Sequence, residues 1–98
     1  MQKTEIFDRV CLEAPIKEAV FDLYMKSVVL QIIASHDEKY AKTEGEIPLR
    51  DEYEDALVWG ILYDHTKKAE YGAAYHASLE QAYRCVWREI EKKRRKGA

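Results

Sequence analysis

The sequence predicts an all-α fold, a small antiparallel bundle of four helices, one short and three long. Three observations carry that expectation. Apolar residues recur at helical spacing over most of the chain. Glu, Lys, Ala, Leu and Arg are abundant, and only four Gly and two Pro interrupt them. The β-branched run VVLQII at 28–33 is the strongest rival strand, and it has no partner of matching quality with which to form a sheet.

The length of 98 residues fits one domain spanning 1–98. A chain of this size buries roughly 65% of the surface it exposes when unfolded, enough for one core and too little for a deep enclosed site as well. A hydrophobic fraction of 47% with a net charge of −2 excludes a disordered chain.

Taken in order, Ile6, Phe7, Val10 and Cys11 predict a short helix over 4–13, ended at Ala14 by Pro15, which is tolerated only at a helix start. A second helix is predicted over 16–41. Val20, Leu23, Tyr24, Val28, Ile32 and Ile33 form one apolar stripe, widened by Phe21, Met25, Val29 and Leu30 until little polar face remains. Such a helix is expected to be central in its bundle or covered by another chain. TEGEI at 43–47 is a loop punctuated by Gly45, and Pro48 starts a third helix over 48–67 with Leu49, Tyr53, Leu57, Val58 and Ile61 facing the core. The fourth helix, 70–94, buries Tyr75, Leu79, Ala82, Val86 and Ile90, flanked by Tyr83 and Trp87. Its outer side pairs Glu80–Arg84, Glu89–Lys93 and Glu91–Arg95 at i,i+4. The alternative is one unbroken helix over 50–94. Residues 92–98 read as a basic, frayed tail.

Charge is unevenly spread. Lys92, Lys93, Arg94, Arg95 and Lys96 hold five positive charges, so a net charge of −2 leaves the rest of the chain at −7. An acidic body is a poor ligand for phosphate backbones, which disfavours nucleic acid as a partner and confines any such contact to Lys92–Lys96 and to aromatics interleaved with Arg84 and Arg88. Six carboxylates fall within 44–55 against Arg50 alone. Asp51, Glu52, Glu54 and Asp55 stand at a helix start, where the backbone dipole favours them by about 0.3–1 kcal/mol each. They are also candidate partner-binding residues. Cys11 and Cys85 are too few for a disulfide framework, and their apolar helical contexts predict buried free thiols in a reducing, cytoplasmic setting. MQKTEIFDR lacks the pattern of a signal peptide, and no stretch predicts a membrane span.

No motif assembles a catalytic site. His36, His65 and His76 form no metal-binding spacing, although His65 and His76 can approach each other across the 64–72 turn. The chain is expected to be non-enzymatic and to need no cofactor. Glu52 and Asp55, three apart and followed by ALVWGIL, resemble one half of the metal site of all-α nucleotide pyrophosphohydrolases of the MazG type. That resemblance implies Mg²⁺ held by Glu52 and Asp55 together with a Glu-x-x-Glu pair on the preceding helix. Here that helix and its loop offer Asp37, Glu38, Glu44 and Glu46 in a different pattern. ALVWGILYDHTKKAEYGAAYHASLEQAY faintly resembles one tetratricopeptide repeat, with a turn two residues too long and no second copy.

Seven Tyr and two Trp are more amphipathic aromatic surface than a four-helix core hides. With the all-round apolar second helix, this predicts a non-enzymatic interaction module, an adaptor or regulator that packs helices against itself or another protein, with Tyr71, Tyr75 and Trp87 as candidate contact residues. One alternative is a small acidic phage-type inhibitor whose 44–55 carboxylates occupy a basic groove on a nucleic-acid-processing protein; a further one, implied by the MazG-type resemblance, is an Mg²⁺-dependent nucleotide pyrophosphohydrolase.

Overall fold

A computed structural model describes residues 1–36 and 38–96 and gives an all-α fold. The four predicted helices are α1 (Lys3–Glu13), α2 (Glu18–His36), α4 (Glu54–Thr66) and α5 (Ala69–Lys96). A one-turn α3 (Glu38–Ala41) follows α2, and a single 3-10 turn, Asp51–Tyr53, leads into α4. Residue 37, within the expected second helix, lies outside the described residues, as do 97 and 98.

Pro15 acts as expected: α1 stops at Glu13, and Ala14 takes an extended conformation with its N–H on the Val10 carbonyl. Pro48 does not start a helix. Ile47 and Leu49 are both buried at a spacing of two, and the backbone from 42 to 50 pairs with itself, Thr43 N–H on Pro48 O and Arg50 N–H on Ala41 O. Leu49 is therefore a core residue as predicted, but from a loop. The long helix over 50–94 does not form. Lys67 adopts the left-handed conformation (φ 59°) and caps α4 with its N–H on Tyr63 O at 2.8 Å, which turns the chain into an antiparallel α4–α5 hairpin.

The centre of the bundle is α4, not α2. α4 packs on α1, α2 and α5 and buries Ala56, Leu57, Val58, Gly60, Ile61 and Leu62. Gly60 is where its neighbours come closest. A Cβ there would stand 2.7 Å from Val28 of α2 and 2.9 Å from the Tyr75 ring of α5. α5 presents Tyr75, Leu79, Ala82 and Val86 to the core. At 28 residues it is the longest helix of a molecule 49 Å in its long dimension. The basic segment expected to fray is helical through Lys96, in keeping with the favourable placement of cations at a helix C-terminus.

Candidate functional site

α2 carries two apolar faces. Phe21, Val28, Val29 and Ile32 point into the core. The bundle's own helices do not cover the other side of α2, so of the two expected arrangements the central one does not hold. Leu23 and Leu30 are 69% and 67% exposed, and they alternate with Val20, Ser27 and Ala34 at steps of three and four residues. That 3-4-3-4 spacing is the seam of a two-helix coiled coil, with small Ser27 and Ala34 between larger residues. Beside the seam, Met25, Val29 and Leu30 of α2 face Ile47 and Pro48 across an open groove of about 380 Å³ whose lining is mainly apolar, with Lys26 and Glu46 as its charges. Leu30 belongs to both the seam and the groove. The sequence signal was present in the all-round apolar pattern, but periodicity alone did not say which side the bundle would leave bare.

The four carboxylates of 51–55 prove to be paired within the chain. Asp51 receives the Met1 amino group at 2.8 Å, and Glu52 receives Arg50 at 3.0 Å. Arg9 of α1 bridges Glu54 and Asp55, each at 2.9 Å, while Arg50 reaches on to Glu89 of α5 at 3.1 Å. These carboxylates thus tie α1 and α5 to the start of α4. Glu52 and Asp55 border a cavity of about 220 Å³, and the facing residues, Ser78, Gln81 and Cys85, come from α5 and include no carboxylate. Among the described residues, no group of three or more His, Cys, Asp or Glu side chains is placed to hold a metal ion.

The aromatic candidates separate. Tyr75 is buried against Gly60 and belongs to the core, and burial pushes its phenol above the ordinary range. Tyr71 is half-buried and stacks on Trp59, with ring centroids 5.8 Å apart. Trp87 is 44% exposed on α5. A third group forms where α2, α3 and α5 meet. His36 lies 4.6 Å from the Tyr83 ring and its Nδ1 is 3.4 Å from the Tyr53 hydroxyl, while Tyr40 stands edge-on to Tyr83. Burial holds the His36 imidazole below its usual range and, as the largest cause, raises the Tyr53 phenol to about 12.

His65 does not meet His76. It donates from Nε2 to the Pro15 carbonyl at 3.0 Å, while His76 is exposed beside Tyr75. Both cysteines are exposed, contrary to the expected burial. Cys11 falls one residue past the buried Val10, and Cys85 one residue before the buried Val86, so each is turned out of the core by about 100° of helix. Lys92, Lys93, Arg94 and Arg95 are exposed on the last turns of α5, and Lys96 ends that helix. Glu91 pairs with Arg94 rather than Arg95, and Glu89 with Arg50 rather than Lys93, whereas Glu80–Arg84 forms as predicted at 2.6 Å.

What fold and surface define is a helical protein with one helix face left bare. The chain matches no family model, no curated protein and no solved structure. Among the described residues, no helix is long and apolar enough to cross a membrane.

Proposed function

We propose that the protein is a non-enzymatic interaction module that works through the outward face of α2, and that a second copy of the chain is the occupant of that face. The observation that carries this reading is the pair Leu23 and Leu30, exposed on a coiled-coil seam. The seam is self-complementary when two α2 helices run antiparallel about a two-fold axis. Leu30 then stands over a second copy's Ser27 and Leu23 over a second copy's Ala34. Both leucines meet a small residue.

The magnitude is modest. Burying a leucine that is already one-third covered contributes about 1–2 kcal/mol. Four leucines give about 4–8 kcal/mol against an association cost of the same order, so the dimer is weak, with contacts along the groove deciding whether it reaches micromolar affinity. The paired state of Asp51, Glu52, Glu54 and Asp55 argues for this reading over an acidic inhibitor, because engaging a basic groove through them would first break contacts to the Met1 amine, Arg50 and Arg9. Sedimentation velocity over a wide concentration range tests the proposal. The wild-type chain should shift from monomer toward dimer, and Leu23→Glu with Leu30→Glu should remain monomeric while keeping the helical spectrum. A wild-type chain that stays monomeric throughout sinks the self-association.

A further inference from the structure

The outward side of α5 carries a row of cations that the fold does not use. Arg84, Arg88, Lys92 and Arg95 fall at steps of four, four and three residues, all of them exposed. They lie within about 80° of the helix circumference and about 4.5–6 Å apart along its axis. Tyr75, Leu79, Ala82 and Val86 occupy the opposite side, in the core. An open hollow of about 410 Å³ adjoins the start of the row, and its lining residues, among them Ala77, Gln81, Arg84 and Arg88, all belong to α5. No other element of the bundle lines that face.

Folding does not account for the row. Among the described residues, Arg88, Lys92 and Arg95 have no ion pair, whereas Lys3, Arg9, Lys42 and Arg50 each meet a carboxylate. Arg84–Arg88 and Arg88–Lys92 are like charges at i,i+4, a spacing that destabilises a helix. The helix dipole compensates cations in the last turn only, and Arg84 and Arg88 stand two turns or more before Lys96. The carboxylates of this part of α5 do not neutralise the row either. Glu89 is held by Arg50 and Glu91 by Arg94, while Glu80 holds Arg84 in an exposed pair, which is weak.

A second observation comes from the flank of the row. The Trp87 indole, between Arg84 and Arg88 in the chain, is 44% exposed and, among the described residues, no ring covers it. Unpaired cations at regular steps suit a chain of phosphates, and an uncovered indole beside them suits a base. A lipid surface asks for an apolar helix face, and that of α5 is turned into the core. An acidic protein segment satisfies the cations but brings no flat group to the indole.

We infer that the outward face of α5, with Arg84, Arg88, Lys92, Arg95 and Trp87, is a binding surface for single-stranded nucleic acid. The acidic body opposes any wider contact, so binding is confined to this row and is steeply weakened by salt. The surface is independent of the α2 seam and stands or falls separately.

The test uses the full chain carrying Trp59→Phe, which leaves Trp87 as the sole indole. A short oligo-dT strand is titrated at low salt, with polyglutamate and anionic phospholipid vesicles beside it. Saturable quenching of Trp87 by the oligonucleotide is expected, at least tenfold tighter than any response to the other two. Four neutralised phosphates give a slope of about −3 for the logarithm of affinity against the logarithm of salt concentration. Arg88→Gln with Lys92→Gln should weaken binding by tenfold or more and roughly halve that slope, with the helical spectrum unchanged, since both side chains are exposed. Absence of saturable quenching, equal binding of polyglutamate or vesicles, or undiminished binding by the double variant would overturn the assignment.

Discussion

Replacing Gly60 by alanine sets two effects of similar size against each other. In an ordinary helix interior the change gains about 1 kcal/mol of helix propensity. Here the new methyl group would lie 2.7 Å from Val28 Cγ1 and 2.9 Å from the Tyr75 ring. Neither neighbour can easily yield, because both are buried, Val28 on α2 and Tyr75 on α5. Overpacking of a filled core costs about 1–3 kcal/mol; two contacts under 3.0 Å place this site in the upper half of that range, and subtracting the propensity gain leaves an expected net loss of about 1–2 kcal/mol. For a domain of this size each kcal/mol moves the melting temperature by about 4–8 °C. Gly72→Ala is the matched control. Its methyl group would meet the Tyr63 ring at 2.9 Å, but Tyr63 is 37% exposed and can swing into solvent. There the propensity gain wins, and stability rises by about 0.5–1 kcal/mol. Thermal and urea unfolding followed by circular dichroism should rank Gly72→Ala above wild type and wild type above Gly60→Ala. A Gly60→Ala variant as stable as wild type would mean that α2 and α5 do not close on α4 at that point.

Three further outcomes follow from the same packing. Burial raises the Tyr53 phenol to about 12 from the ordinary 10.0, so the folded state holds a proton that the unfolded state loses first. Tyr53 thus stabilises fully below pH 10, and that contribution falls by about 1.4 kcal/mol per pH unit as pH rises from about 10 to about 12. Urea midpoints measured across that range should decline less steeply for Tyr53→Phe than for wild type, and identical slopes would refute the burial of that hydroxyl. Native protein should present two thiols to a disulfide reagent at rates close to those of the denatured chain, because Cys11 and Cys85 are both exposed; protection of either would restore the expectation of buried thiols. Arg9→Ala removes the bridge to Glu54 and Asp55 on the surface, and it should cost about 0.2–1 kcal/mol at low salt and less at high salt.

The fold was largely legible because its signals were local. Pro15 ended α1, the 3.6-residue period placed Tyr75, Leu79, Ala82 and Val86 in the core, and Leu57, Val58 and Ile61 on the inner helix behaved likewise. Two structural decisions were not local. The α4–α5 turn depends on Lys67 adopting a conformation that no glycine announces. The choice of α4 rather than α2 as the centre depends on Gly60 admitting close neighbours, and an apolar helix reads alike whether its second face meets its own bundle or another chain. The candidate surfaces were harder still. Asp51, Glu54 and Asp55 looked free because their partners, the Met1 amine and Arg9, come from more than forty residues away, whereas Glu52 meets Arg50 two residues before it.

The account rests on the outer face of α2 being covered in solution by its own counterpart. The most direct measurement is a half-filtered NOE experiment on an equal mixture of isotope-labelled and unlabelled chains at high concentration. The antiparallel pairing predicts intermolecular contacts from Leu30 methyls to Ser27 and from Leu23 methyls to Ala34. Leucine methyls that show no intermolecular contact and remain open to a paramagnetic agent in the water would contradict it.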